Sequence, residues 1–267
     1  IFKGKSLQYL LETYKSQFLG NKNYERFGDA FPLLIKFIDA KKDLSIQLHP
    51  GDELAKKRHN SFGKTEMWYV MQSDENSNLI VGFNRNMNKE TYLKHLQNKT
   101  LPEILNFDKV KEGDTYFIES GRVHAIGAGV LLAEIQQTSD VTYRVYDWDR
   151  LDDDGKPREL HNDIAIDAFD FNMRDDFRIG YSKTKNKPNE MVNCPYFTTN
   201  FIEITSKLKR NNNYDSFLIY MCLDGNVTIE TDTSEESISK GETILLPAAI
   251  KNFNLISDYG KLLEVYV

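Results

Sequence analysis

The chain is a succession of short apolar or alternating stretches punctuated by Gly, Asp and Asn, and that rhythm admits few architectures. Phe31–Ile38, Leu44–His49, Thr65–Gln72, Leu79–Phe83, Thr115–Ile118, Val130–Gln137 and Val141–Val145 are rich in β-branched and aromatic residues and read as strands. Helical stretches at Lys89–Gln97 and near Glu159–Phe169 interrupt them without the spacing of a βαβ repeat, so the sheets should be mainly antiparallel. Ahead of the strands, Ser6 is placed to cap a helix through about Phe18, because Leu7, Leu10, Leu11, Tyr14 and Phe18 recur at helical spacing.

From about Asn193 a second strand series begins: Tyr196–Ile204, Ser216–Leu223, Val227–Glu230, Thr243–Leu246 and Leu262–Val267, with a turn expected at Asp224-Gly225-Asn226. Two successive blocks of this kind predict a mainly β protein built from two jelly-roll or cupin-like β-barrels with a few peripheral helices. The polar, basic stretch Lys183–Pro188 is the expected linker, with residues 1–182 as the first domain and 189–267 as the second. All five histidines (His49, His59, His95, His124, His161) precede that linker, so metal chemistry is expected in the first barrel and a structural role in the second.

Composition narrows the partners. A formal charge of −6 without a basic block argues against a nucleic-acid surface, and no apolar stretch is long enough to span a bilayer. Cys194 and Cys222 stand far apart outside any CxxC pattern, which fits a reducing cytoplasm and disfavours a thiolate metal site. The chain begins with Ile1 and shows no signal-peptide core, so an N-terminal piece is expected to precede it.

Chemistry concentrates on a few polar positions. In Leu44-Ser45-Ile46-Gln47-Leu48-His49-Pro50 the apolar residues alternate with polar ones, so Gln47 and His49 share a strand face opposite the core. In Gly63-Lys64-Thr65-Glu66-Met67-Trp68-Tyr69, Lys64, Glu66 and Trp68 share a face in the same way. His124 follows the turn Glu119-Ser120-Gly121-Arg122-Val123. Gln47, His49, Glu66 and His124 together supply the nitrogen and oxygen donors that a catalytic zinc takes, with Lys64 projecting beside the metal.

These blocks, Ser45 to Pro50, Gly63 to Tyr69, Gly121 to Ile126 and Glu134-Ile135-Gln136-Gln137-Thr138-Ser139-Asp140-Val141-Thr142-Tyr143-Arg144-Val145-Tyr146-Asp147-Trp148, resemble type I phosphomannose isomerase in order and content. The resemblance implies a double cupin with one Zn²⁺ per chain that interconverts mannose 6-phosphate and fructose 6-phosphate, as a monomer or homodimer. The family's metal ligands map onto Gln47, His49, Glu66 and His124, and its active-site arginine onto Arg144. Lys64, Glu134 and Asp140 match positions near the reacting carbons, and Lys36, Ser45 and Arg150 match the phosphate contacts. The chain resembles the short bacterial form, without the large helical insertion of longer members, and the family's first strands would precede Ile1.

An aldose–ketose isomerisation through an enediolate needs a base, a proton carrier and a group that holds negative oxygen. A bound Zn²⁺ and the permanently charged Arg144 would hold the oxygen. Lys64 as a neutral amine, Glu134 and a zinc-bound water are the candidate bases. A sugar-phosphate-binding cupin without turnover is the non-enzyme alternative, against which Arg144 and Lys64 argue. An iron-dependent cupin dioxygenase would favour more histidines. The acidic run Asp147, Asp149 and Asp152 to Asp154 lacks the calcium-loop pattern and reads as a solvated turn. His59, His95 and His161 read as surface residues, and Trp68 and Trp148 as packing.

Overall fold

The computed structural model describes residues 4–267, and the chain separates into two compact units, residues 4–32 with 180–267 and Leu33–Ile179. Strand accounts for 39% of residues against 17% helix, so the fold is mainly β, of the cupin type. The partition differs from the expected one. Helices α1 (Leu7–Leu19) and α2 (Asn21–Phe27) belong with the C-terminal residues, not with the barrel that follows them in sequence.

The reason lies in backbone hydrogen bonds that no contiguous reading can foresee. The N–H groups of Ala248 and Ala249 donate to the carbonyls of Phe18 and Gln17, each at 2.9 Å. The Asp215 carboxylate accepts from the N–H groups of Asn21 (3.0 Å) and Lys22 (3.2 Å) at the start of α2. Ser6 caps α1 as expected, accepting from the Tyr9 N–H at 3.1 Å, and Leu11, Phe18 and Leu19 are buried along it.

In the Leu33–Ile179 unit the elements run β1 (Leu33–Ala40), β2 (Ile46–Leu48), α3 (Asp52–His59), β3 (Glu66–Ser73), β4 (Asn78–Phe83), α4 (Lys89–Gln97), β5 (Leu105–Lys109), β6 (Thr115–Ile118), β7 (His124–Ile126), β8 (Val130–Gln137), β9 (Tyr143–Tyr146) and α5 (Asn162–Ala165). They form a four-stranded sheet in the order β1-β8-β3-β6 and a five-stranded sheet in the order β5-β4-β7-β2-β9. Every named pairing in both sheets is antiparallel. Apolar side chains from both sheets, among them Trp68, Val70, Leu79, Val81, Tyr116 and Leu132, share one core. Helix α3 escapes prediction because only Ala55 in it is buried, which leaves no apolar stripe to read. Near Glu159–Phe169 the helix shrinks to the four residues of α5.

The other unit adds β10 (Asn189–Asn193), β11 (Thr198–Ile204), β12 (Leu208–Asn211), β13 (Leu218–Thr231), β14 (Glu235–Ser239), β15 (Thr243–Leu246), β16 (Asn252–Ile256) and β17 (Gly260–Tyr266) in one antiparallel sheet system. Here the expected Asp224-Gly225-Asn226 turn is corrected: these residues lie inside β13, a single strand of 14 residues. The ladder to β17 shifts between Cys222 and Asp224, and Gly225 takes φ +69°. The bulge thus falls at Leu223, just before the positive-φ glycine, and the continuous strand pairs β15 and β17 in its first half and β14 and β16 in its second.

Candidate metal centre and active site

Strand registry brings the four proposed metal ligands to one place. Gln47 on β2 lies opposite His124 on β7 and Arg144 on β9, while Ile46 and Leu48 turn the other way into a core with Val123, Tyr143 and Val145. His49, just beyond β2, and Glu66, first residue of β3, complete the group. His49, Glu66 and His124 are each 1% exposed, and their candidate ligand atoms all lie within 4.8 Å of one another.

Each histidine is oriented by a backbone carbonyl. Nδ1 of His49 donates to the Val141 carbonyl at 3.0 Å and Nδ1 of His124 to the Arg122 carbonyl at 2.9 Å. A carbonyl can only accept, so the proton sits on Nδ1 and both Nε2 lone pairs face the site. Nε2 of His49 is 3.3 Å from Oε1 of Glu66, and Nε2 of His124 is 3.8 Å from Oε2. The amide nitrogen of Gln47 stands 3.4 Å from Nε2 of His124.

Charge follows from burial. Burial pushes His49 below its ordinary value despite the opposing pull of Glu66. Burial and the neighbouring His49 push His124 down to about 3. Burial would push the Glu66 carboxyl up, but His49, Lys64 and His124 together hold it well below the usual carboxylate range. The Nδ1–H tautomers leave an Nε2 lone pair of each imidazole beside the Glu66 carboxylate, the arrangement in which these groups bind a metal.

The donor set fits a dication. His49 Nε2 and both Glu66 oxygens are buried without a hydrogen bond, which is costly unless something else satisfies them. Ligand atoms about 2.1 Å from a tetrahedral zinc would be about 3.4 Å apart, close to the separations seen between the histidine nitrogens and the glutamate.

Of the other expected site residues, Lys64, Arg144, Ser45, Glu134 and Lys36 gather around this group in two clusters. Lys64 is buried with Nζ 3.1 Å from Oε1 of Glu66. Arg144 donates through Nε to Ser45 Oγ (3.3 Å) and through Nη1 to the Glu159 carbonyl (3.0 Å), and Ser45 Oγ in turn reaches Gln47 Oε1 at 3.4 Å. Lys36 and Glu134 face each other across β1 and β8 and pair at 2.6 Å. The second Glu134 oxygen accepts from the Trp68 indole at 2.9 Å. Burial and Glu66 push the Glu134 carboxyl up, against the pull of Lys36 and Lys64.

Two residues stand apart. Asp140 is exposed on the wall of a cavity of about 640 Å³ that it shares with His59, Ser139, Val141, Tyr143 and His161. Arg150 is folded onto the protein, donating to the Asp43 carbonyl (2.6 Å) and to Asp147 Oδ1 (2.6 Å).

Sequence reasoning missed several participants. Trp68 packs in the core as expected but is also the donor to Glu134, which its shared face with Glu66 could have signalled. Arg158 binds Asp147 through Nε (2.8 Å) and Nη2 (2.5 Å) beside Arg150, in a stretch with no strand pattern to reveal it. Arg122 is 1% exposed, held by Glu119 (2.6 Å) and Asp170 (3.1 Å) and set against the Phe177 ring, so it anchors the very residue whose carbonyl orients His124. His161 accepts the Arg144 N–H through Nδ1 at 3.1 Å.

Comparison with known proteins points to one family. Residues 2–81 match the family of the phosphomannose isomerase type I catalytic domain, and residues 187–267 match the mannose-6-phosphate isomerase cupin domain. The mannose-6-phosphate isomerase ManA of Bacillus subtilis is 34% identical over 260 residues, spanning 96% of this chain and 80% of its own length. That of Streptococcus mutans is 32% identical over 259 residues, 97% of this chain and 80% of its own. The crystal structure of the mannose 6-phosphate isomerase from Bacillus subtilis superposes with a TM-score of 0.88 at 32% identity, covering 99% of this chain and 83% of that one. A variant of the phosphomannose isomerase from Salmonella typhimurium shares the fold at a TM-score of 0.78 and 16% identity, over 98% of this chain and 85% of that one. With relatives above 30% identity aligned along nearly its whole length, the chain belongs to the type I phosphomannose isomerase family of enzymes.

Proposed function

We propose that this chain is a zinc-dependent isomerase that interconverts mannose 6-phosphate and fructose 6-phosphate by moving a proton between C1 and C2 through an enediolate. The observation that carries this reading is the buried His49–Glu66–His124 group, in which His49 Nε2 and both Glu66 oxygens have no hydrogen bond, with Lys64 at its edge, in a chain of this family. His49, Glu66 and His124 would hold the metal, and Gln47 would add its amide oxygen once that amide turns over. Bound there, Zn²⁺ supplies a Lewis acid that stabilises negative charge on substrate oxygen. Two histidines and one carboxylate also suit a non-haem iron, so metal analysis of protein purified without added metal is part of the test.

The chain's own groups divide the remaining work. Arg144 keeps donors free beyond those given to Ser45 and Glu159, and can share the enediolate charge through parallel hydrogen bonds. Lys64 is the favoured proton carrier, because both oxygens of the rival Glu134 are already engaged by Lys36 and Trp68. Glu134 then fixes Lys36, whose side chain remains 33% exposed and can turn a free N–H to the substrate phosphate. Ser45 supports that role through its hydroxyl. Arg150 contributes with the guanidinium hydrogens that Asp43 and Asp147 leave free, and Asp140 acts from the cavity wall during ring opening. Unpaired Cys194 and Cys222 suit a reducing cytoplasm, where the enzyme would work as a monomer or homodimer.

The test is a coupled assay for fructose 6-phosphate formed from mannose 6-phosphate, before chelation, after it, and after zinc is restored. Activity lost to the chelator and regained with zinc supports the reading. Folded, zinc-replete protein without turnover sinks it in favour of a sugar-phosphate-binding cupin.

A further inference from the structure

We propose that Gln136 is a positioning residue for the metal centre, acting on His49 through the loop that leaves β8. Nothing in the side chain's sequence neighbourhood marks it: it opens the polar run Gln136-Gln137-Thr138-Ser139-Asp140 near a strand end. In the fold it is 0% exposed and lies opposite the metal-ligand candidate Glu66 in the β3–β8 ladder.

Its amide is used in a directional way. Oε1 accepts from Lys36 Nζ at 2.5 Å, while Nε2 donates to the carbonyls of Gln137 (2.9 Å) and Ser139 (3.0 Å). Those carbonyls belong to the chain as it turns out of β8. Ser139 continues the path: its Oγ donates to the Phe62 carbonyl at 2.9 Å and accepts the Val141 N–H at 3.3 Å. The Val141 carbonyl then accepts Nδ1–H of His49. Hydrogen bonds joined through the covalent frames of Ser139 and Val141 thus link the Gln136 amide to the ring whose tautomer leaves Nε2 open.

The chemistry of this path requires an amide. Two carbonyls on one side need donors and an ammonium on the other needs an acceptor, which only a side chain with both can serve. Glutamate would meet Lys36 but place lone pairs against the Gln137 and Ser139 carbonyls. Methionine would fill the volume and leave all three partners unserved. Outer partners of metal-ligating histidines fix ring orientation and basicity, and their loss weakens metal binding by about 10–100-fold. Gln136 is two steps further out, behind Ser139, and the Val141 backbone they set cannot be removed by substitution, so the effect must be read through Gln136 and Ser139.

This inference rests on the metal-centre reading, and the experiment separates the two. Zinc affinity of chelator-stripped protein is measured by competition with a chromophoric chelator for the wild type, Gln136→Met and Ser139→Ala, with circular dichroism as the fold control and ¹⁵N NMR reporting the His49 tautomer. We expect Gln136→Met to bind zinc about 10-fold more weakly, the lower end of the range for a direct outer partner, with a mixed His49 tautomer, and Ser139→Ala to shift both in the same direction. A Gln136→Met protein that folds, binds zinc as the wild type does and keeps His49 protonated on Nδ1 overturns the inference. If Gln136→Met does not fold, Ser139→Ala decides, and unchanged affinity and tautomer there overturn it equally. Should the wild type itself fail to bind zinc, the metal reading falls first. A merely structural Gln136 would lower thermal stability without moving either readout.

Discussion

Each of the two units buries a glutamate on a strand, and they handle the buried charge in opposite ways. Glu264, on β17, is 0% exposed and closed on every side: Arg210 reaches both oxygens at 2.9 and 2.7 Å, the Tyr220 hydroxyl donates at 2.5 Å and the Asn200 amide at 3.0 Å. Burial and Glu264 push the Tyr220 phenol well above its ordinary value, and Glu264 and Tyr220 hold the Arg210 guanidinium up against the burial that would lower it. Glu66 has His49, His124 and Lys64 for neighbours, with Lys64 Nζ 3.1 Å from one oxygen, and neither oxygen is satisfied by a hydrogen bond. A buried carboxylate needs a cation. The C-terminal unit closes its carboxylate with a guanidinium and two further donors; the Leu33–Ile179 unit gives Glu66 only Lys64, at 3.1 Å from one oxygen, and leaves its lone pairs unserved, which is room for the metal proposed above.

The comparison breaks first if Glu66 proves to be an ordinary core residue. Glu66→Gln should weaken zinc binding by more than the roughly 100-fold expected of a lost outer partner, and abolish turnover, while the metal-free protein still folds. Equilibrium dialysis with zinc decides, and retained affinity would show that Glu66 is no ligand. The mirror experiment is Arg210→Met. It strands the Glu264 charge in the core and should cost about 3–5 kcal/mol of stability in urea melts, with zinc affinity unchanged. Replacing the set together, as Glu264→Leu with Arg210→Met and Tyr220→Phe, should recover most of that loss, because a well-packed apolar cluster needs no cation. A triple variant as unstable as Arg210→Met would mean that the cluster does more than neutralise itself.

Arg144→Ala sharpens the comparison on the active side. The guanidinium is not a metal ligand, so zinc content should stay at the wild-type level while kcat falls by about 10²–10³, the range for removing one donor to a developing oxyanion. Loss of zinc along with turnover would move Arg144 from chemistry to architecture.

What the sequence revealed tracks the range of the physics involved. Alternation along one strand is local, so the shared faces of Gln47 with His49 and of Lys64 with Glu66 were legible, and the strands that carry them were too. Pairing between strands is not local. The Lys36–Glu134–Trp68 line depends on the register of β1, β8 and β3, and Arg210 meets Glu264 across 54 positions of sequence. Arg210 sits in Lys209-Arg210-Asn211, where it looks like one more solvated cation. Helix α1 was legible as a helix, yet its allegiance rests on Phe18 and Gln17 carbonyls meeting Ala248 and Ala249, which hydrophobic spacing cannot encode. Gly225 shows a subtler limit, since a positive-φ glycine serves a hairpin turn or the interior of a bulged strand, and only the long pairing of β13 selects the strand.

Asp147 offers an intermediate between the two glutamates, and the smallest expected effect. Burial would push its carboxyl up, but Arg158 and Arg150 hold it below the usual carboxylate range. Its side chain is 7% exposed, whereas those of Arg158 and Arg150 are 44% and 30% exposed, so solvent screens what it gains from them. A carboxyl with a depressed folded-state pKa binds fewer protons folded than unfolded, so its contribution is present above the unfolded value of about 4 and is lost as pH falls through the folded one. Asp147→Asn should therefore cost at most about 1 kcal/mol at pH 6, with the difference from wild type shrinking toward pH 3 and shrinking again in high salt. A gap that stays constant across that pH range would show that Asp147 acts by hydrogen bonding alone, and would leave charge compensation as a property of the fully buried sites.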